Sequence, residues 1–155
     1  MTEQDDEIGK RAYLAGIIDG EGHIGIYRRN SSAETPRYYP VIRVEMSDRL
    51  PLELISNDFG GTIYTVKPRG DKYKTTFIHE SLETKRVTKL AQYIYPYLKV
   101  KKKQAEVVLE VLHLKNQAPS RYCKIGKQKA AELNDTMHNM FLKIRQLNHA
   151  SIPYQ

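Results

Sequence analysis

The chain predicts an α+β fold in which a four-stranded antiparallel sheet carries helices on one face. Segments of helical apolar spacing and of strand-like alternation follow one another as helix, strand, strand, helix, strand, strand, helix. That αββαββα order is an approximate internal repeat of elements, and it implies helices layered on a sheet. A further helical stripe in residues 127–147, made by Ala130, Leu133, Met137, Met140, Phe141 and Ile144, reads as core packing by C-terminal helices. The 155 residues are expected to form one domain, with a core of about residues 8–112 and a helical extension of about 113–149.

In the first helix, Ile8, Ala12, Leu14, Ala15, Ile17 and Ile18 gather on one broad apolar face. Asp5, Asp6 and Glu7 precede it and suit the positive end of its dipole. Gly16 and Gly20 lie four apart and point the same way. A glycine inside a helix costs about 1 kcal/mol relative to alanine, so the pair needs a packing reason, and close approach of a second helix supplies one. Termination by Gly20 and Gly22 is the plainer reading, and it leaves Gly16 unexplained. Residues 23–29 and 37–46 alternate as two strands joined by a long polar loop at 30–36. Asp48 caps a helix with Pro51 in its first turn and Leu52, Leu54, Ile55 and Phe59 on its apolar face, ended by Gly60 and Gly61. Residues 62–67 and 72–79 form a second hairpin about Pro68, Arg69, Gly70 and Asp71. A helix from about residue 82 to 95 stops at Pro96.

Lys and Arg number 25 against 18 acidic residues, a formal charge of +7 that favours a polyanionic partner, although ribosomal and membrane-surface proteins share such a balance. No apolar run approaches the roughly 18 residues of a membrane span, and no secretory signal pattern is present. The expectation is therefore an intracellular chain that is neither membrane-bound nor secreted. The lone Cys123 excludes an internal disulfide and a Cys-rich zinc site, and the five histidines lack metalloprotease spacing. His113 and His138 read as ordinary helix-surface residues.

The most specific feature is Leu14-Ala15-Gly16-Ile17-Ile18-Asp19-Gly20-Glu21-Gly22. Glu21 closes a helix at the end where the dipole disfavours negative charge, and a divalent cation there would reverse that penalty. An isolated acidic turn of this kind is more often simply solvated. The nonapeptide resembles the signature of the LAGLIDADG homing endonucleases, with the same residue at six of nine positions. The resemblance continues through Met46-Ser47-Asp48-Arg49, Leu52 to Ile55 and Phe59-Gly60-Gly61. Pro96-Tyr97-Leu98-Lys99-Val100-Lys101-Lys102-Lys103-Gln104 is similar to the segment bearing the family's active-site lysine, which falls on Lys101.

This resemblance implies a site-specific double-strand DNA endonuclease of the intron-encoded homing type. A single motif implies a homodimer acting on a long pseudo-palindromic site, with Gly16, Asp19 and Gly20 at the dimer interface. Asp19 reads as helix capping or interface hydrogen bonding. Glu21 and the carbonyl of Gly20 would hold Mg²⁺, with Mn²⁺ as a substitute and Ca²⁺ supporting binding without cleavage. Lys101 would stabilise charge at the scissile phosphate or tune the attacking water, the plainer alternative being an ordinary phosphate or solvent lysine. Some homodimeric members carry a glutamine where this chain has Met46, and Arg49 or Ser47 is the candidate to replace it. On the sheet, Tyr27, Arg29, Arg37, Tyr39, Arg43, Lys67, Arg69, Lys72 and Lys74 are the expected DNA contacts, against the alternative of a solvated basic face. A maturase binding RNA, a non-cleaving DNA-binding regulator of the same fold and an unrelated basic RNA-binding protein are the other readings. The resemblance leaves the target sequence open, and with it the origin, whether chloroplast, mitochondrion, archaeon, bacterium or phage.

Overall fold

The computed structural model describes residues 2–30, 35–118 and 124–150, with only the backbone described for Lys124, Ile125 and Ala150. Residues 31–34 of the expected loop, and Cys123, lie outside the described residues. Helix α1, Glu3–Glu21, begins earlier than its apolar spacing suggests because Thr2 caps it. The Thr2 hydroxyl accepts from Asp5 N at 3.2 Å, and the Asp5 carboxylate accepts from Thr2 N at 3.0 Å. Asp5, Asp6 and Glu7 thus lie inside the first two turns rather than ahead of the helix. At the other end, a Cβ on Gly22 would come within 2.6 Å of Ile18 O, so glycine allows the chain to leave the helix directly into a strand.

Strand β1, Gly22–Arg29, pairs antiparallel with β2, Arg37–Met46, from Gly22↔Val44 to Arg29↔Arg37. Helix α2, Leu50–Phe59, follows, its first amide capped by Asp48 Oδ1 at 3.0 Å. Strands β3, Thr62–Val66, and β4, Thr76–Ser81, complete a sheet of order β1-β2-β4-β3. β4 starts four residues later than the alternation of 72–79 suggests. Gly70 and Asp71 favour local turn bonding, seen in Tyr73 N donating to Gly70 O at 3.1 Å. Lys67, Arg69, Lys72 and Lys74 consequently sit on the exposed connection between β3 and β4, not on the strands.

The helices are α3, Thr84–Ile94, with a 3₁₀ turn at Tyr95–Tyr97 that accommodates Pro96, then α4, Lys102–Asn116, and α5, Lys124–Ala150. With α1 they cover one sheet face, where Ile24, Ile26, Tyr38, Ile42 and Val44 meet Leu14, Ala15, Ile18, Leu90, Val108 and Ile144 in a single core. The first helix therefore divides its apolar residues: Leu14, Ala15 and Ile18 are buried, while Ile8 and Ala12 face outward. In α5, Met137, Met140 and Phe141 pack on this core as the stripe suggests. His138 is not a surface residue, because its Nδ1 hydrogen-bonds the hydroxyl of buried Tyr38 at 2.7 Å across 100 residues of chain. Among the described residues no helix is long and apolar enough to cross a membrane.

His79 is fully buried, with Nε2–H donating to Gly60 O at 2.8 Å and Nδ1 unpartnered. Burial lowers its pKa, and the Gly60 bond offsets this only in part. The unfolded chain therefore takes up a proton at this position more readily than the folded one. Stability is full above the ordinary histidine pKa of about 6.5 and is lost as pH falls through it. Urea denaturation at pH 7.5 and 5.5 (roughly one unit either side of that value) should show the midpoint falling on acidification, and the fall should be smaller in His79→Phe. An equal fall in both proteins would assign the effect elsewhere.

Candidate active site and nucleic-acid interface

Asp19, in the last turn of α1, accepts from Lys99 N at 2.7 Å and from Lys101 N at 2.9 Å. Lys101 is the N-cap of α4 and offers no side-chain cap of its own, so the carboxylate of a distant helix satisfies the amides leading into that helix. The Lys101 ammonium returns the contact by donating to the carbonyl oxygen of Asp19. Burial lowers the Lys101 pKa, and the negative charges of Asp19 and Glu21 work against that shift. Asp19 thus caps, as expected, but within its own chain. Both of its carboxylate oxygens are occupied by the amides of Lys99 and Lys101.

Glu21 is exposed at the mouth of this knot and has no hydrogen-bond or ion-pair partner among the described residues. Among those residues no group of three or more His, Cys, Asp or Glu could hold a metal. One free carboxylate beside a helix-terminal carbonyl, that of Gly20, suits an ion that takes most of its ligands from water and phosphate, as Mg²⁺ does. It does not suit a metal that needs an all-protein cage. His23, absent from the expected site, joins the group: its ring folds over Gly25, and its pKa is lowered by burial and then by Arg43 and Lys101. Only its place two residues after Glu21 could have signalled this. Arg49 is already engaged, with Nε 2.7 Å from Glu53 Oε1 and its guanidinium over the Phe77 ring, and Met46 packs half-buried against the core.

The sheet face opposite the helices carries His23, Tyr27 and Arg29 from β1 and Arg37, Tyr39, Arg43 and Glu45 from β2. Tyr27 pairs with Tyr39 and Arg29 with Arg37. The guanidinium of Arg29 lies over the Tyr39 ring at 5.3 Å, holding its charge over an aromatic face rather than against a carboxylate. Arg43 is bound by Glu45 at 3.2 Å, and Glu45 also accepts from the Thr76 hydroxyl at 3.1 Å. Tyr27 donates to Glu80 at 3.2 Å. Glu45 and Glu80 were missed as site residues, although Glu45 shares the parity of Arg43 and that alone was a signal. Five of the nine expected contacts therefore share the strand face, and the four on the β3–β4 connection flank it.

On α1, Gly9, Ala12, Tyr13, Gly16 and Gly20 are all exposed along one side. A Cβ at Gly16 or Gly20 would meet nothing within 4 Å. No packing among the described residues accounts for these glycines.

A family model described as LAGLIDADG endonuclease matches residues 14–110, and the chain belongs to this family. Among solved structures it is similar to the homing endonuclease I-CvuI in complex with DNA, at 18% identity and TM-score 0.63, covering 92% of this chain and 94% of that one. It is also similar to I-Vdi141I, an archaeal intron-encoded homing endonuclease complexed with DNA, at 19% identity and TM-score 0.61, covering 92% and 98%. The LAGLIDADG homing endonuclease I-GzeII, in complex with its DNA target, matches at 20% identity and TM-score 0.63, over 87% of this chain and 43% of that one. No curated protein matches in sequence. At these identities the likenesses establish the fold.

Asp19→Ala leaves two amides without their acceptor, which should cost about 1–3 kcal/mol of stability. Equilibrium urea denaturation measures it; a change within error would mean that water replaces the carboxylate.

Proposed function

We propose that the chain is a site-specific DNA endonuclease working as a homodimer with a divalent cation. The observation that carries this reading is the unpartnered Glu21 beside Lys101, at the end of a helix whose exposed glycine side has nothing packed on it. A twofold axis along that side would bring two copies of Glu21 together, one for each strand of a duplex. It would also double the positive charge facing the DNA, which favours strong, salt-sensitive binding.

Glu21 and the Gly20 carbonyl would hold Mg²⁺, which polarises a phosphate and lowers the pKa of a bound water. Lys101, fixed by Asp19 at backbone and ammonium, places a cation where negative charge grows on the scissile phosphate. Arg43, steadied by Glu45, and the Arg29–Arg37 pair present donors suited to guanine edges and phosphates, in a ribbon of the width that enters a major groove. The Lys67–Lys74 connection adds charge at the periphery.

Incubating the protein with a randomised duplex library in Mg²⁺ and in Ca²⁺, then sequencing bound and cut molecules, tests the reading. Paired cuts at one selected sequence in Mg²⁺, with binding alone in Ca²⁺, support it; selection of an RNA instead, or of no cut site, overturns it. Glu21→Gln should keep affinity within about threefold and abolish cutting, because the lost interaction acts on the reaction more than on binding. Lys101→Met should slow single-turnover cleavage by about 10²–10³ with little change in affinity. An affinity loss as steep as the rate loss would make Lys101 only a phosphate anchor. Gly16→Arg should halve the mass measured by light scattering with the circular-dichroism spectrum unchanged, since a Cβ there meets nothing within 4 Å among the described residues of its own chain. A dimer that persists in this variant places the contact elsewhere.

A further inference from the structure

Where α5 runs back along the free edge of β1, the two elements enclose a cleft of about 480 Å³. Its walls include His23, Arg28, Arg29, Arg145, Asn148 and His149, and no Asp or Glu among the described residues. Asn148 sets the geometry: its Nδ2 donates to Ile24 O on β1 at 3.1 Å, while its Oδ1 accepts from Gln104 Nε2 on α4 at 3.4 Å. The side chain thereby ties the end of α5 to the edge strand β1 and to α4. Residues of both strand parities line the cleft, so it lies beside the sheet and not on its open face.

Concentrating cations in this way is unfavourable unless something compensates them. None of Arg28, Arg29 and Arg145 is paired with a carboxylate among the described residues; Arg29 and Arg145 instead rest on the Tyr39 and Phe141 rings. The charges are left for a ligand outside the chain. The inner end of the cleft is His23, two residues from Glu21, and the outer end is Arg28 and Arg29. The spacing of strand residues makes the cleft about 17 Å long, enough to follow several phosphates of one strand.

We propose that this cleft binds the sugar-phosphate backbone of the DNA strand passing the β1 edge, just outside the cut position. The proposal rests on the endonuclease reading for where the strand runs, and on the cleft's own charge for what it binds. Because it grips phosphates, it sets register and contributes affinity without reading sequence.

The test is a double variant of the full chain, Arg28→Gln with Arg145→Gln, whose binding to a mixed-sequence DNA duplex is measured over a salt series in Ca²⁺. Each lost phosphate contact flattens the plot of log affinity against log salt by about 0.9, so the slope should become shallower by roughly two. Lys85→Gln, on the exposed side of α3, serves as the control and should leave the slope unchanged. An unchanged slope in the double variant overturns the proposal, and a lower melting temperature alongside it would mean that Arg145 serves only the C-terminal dipole of α5. A shallower slope on an RNA duplex with no change on DNA also overturns it. Selection from the randomised library should return the same base preferences in variant and parent; a changed preference would mean that the cleft reads bases, against the proposal. The slope on mixed-sequence DNA is measured whether or not the parent chain cuts, so a failed endonuclease reading and a failed cleft give different results.

Discussion

The two oxygens of the Asp19 carboxylate hold the candidate site together. They receive amides from a segment 80 residues further along the chain, at the point where α4 begins. Without an acceptor there, the start of α4 would lose the partner of the Lys99 and Lys101 amides, and Lys101 would be held to the end of α1 only by its ammonium on the Asp19 carbonyl. Helix start, lysine position and distance from Glu21 therefore depend on one side chain. The same contact leaves Glu21 outside the knot, exposed and without a hydrogen bond or ion pair among the described residues, within electrostatic reach of Lys101.

Two further arrangements follow from where α1 can pack. Its Leu14, Ala15 and Ile18 side is buried in the core and its glycine side is open among the described residues, so the helix has one surface for its own chain and a second that the proposed dimer would cover. The sheet has a comparable division, with an apolar inner face and an outer face where carboxylates and tyrosine rings hold arginines in place. Arg43 on Glu45 and Arg29 over Tyr39 lose less conformational freedom on meeting DNA than free arginines would. The edge of β1 and the β3–β4 connection carry further cations without an ion pair among the described residues.

The parts of the fold that depend on local periodicity were readable from the sequence, and those that depend on distant partners were not. Residues 37–46 form β2 with the expected limits because their alternation is unbroken between two turn-forming stretches. Residues 72–75 alternate too, yet local bonding after Gly70 keeps them out of β4. The early start of α1 was signalled by the spacing of Thr2 and Asp5, a capping box that apolar counting overlooks. The inward turn of Asp19 and the bond between Tyr38 and His138 leave no trace in sequence spacing, since their partners lie about 80 and 100 residues away. For the site, the nonapeptide and the lysine segment located Glu21 and Lys101. His23 and Glu45 left only weak signals, adjacency to Glu21 and parity with Arg43, while Glu80 emerged only from its bond to Tyr27 across the sheet.

In the proposed dimer each chain supplies half of a cutting site, one Glu21 to one strand. The most direct measurement uses a mixed dimer, purified through two different tags, in which one subunit carries Glu21→Gln. On the selected duplex it should cut a single strand and stop at a nicked product. Cleavage of both strands by that mixed dimer, or full activity from a lone subunit, would contradict the account.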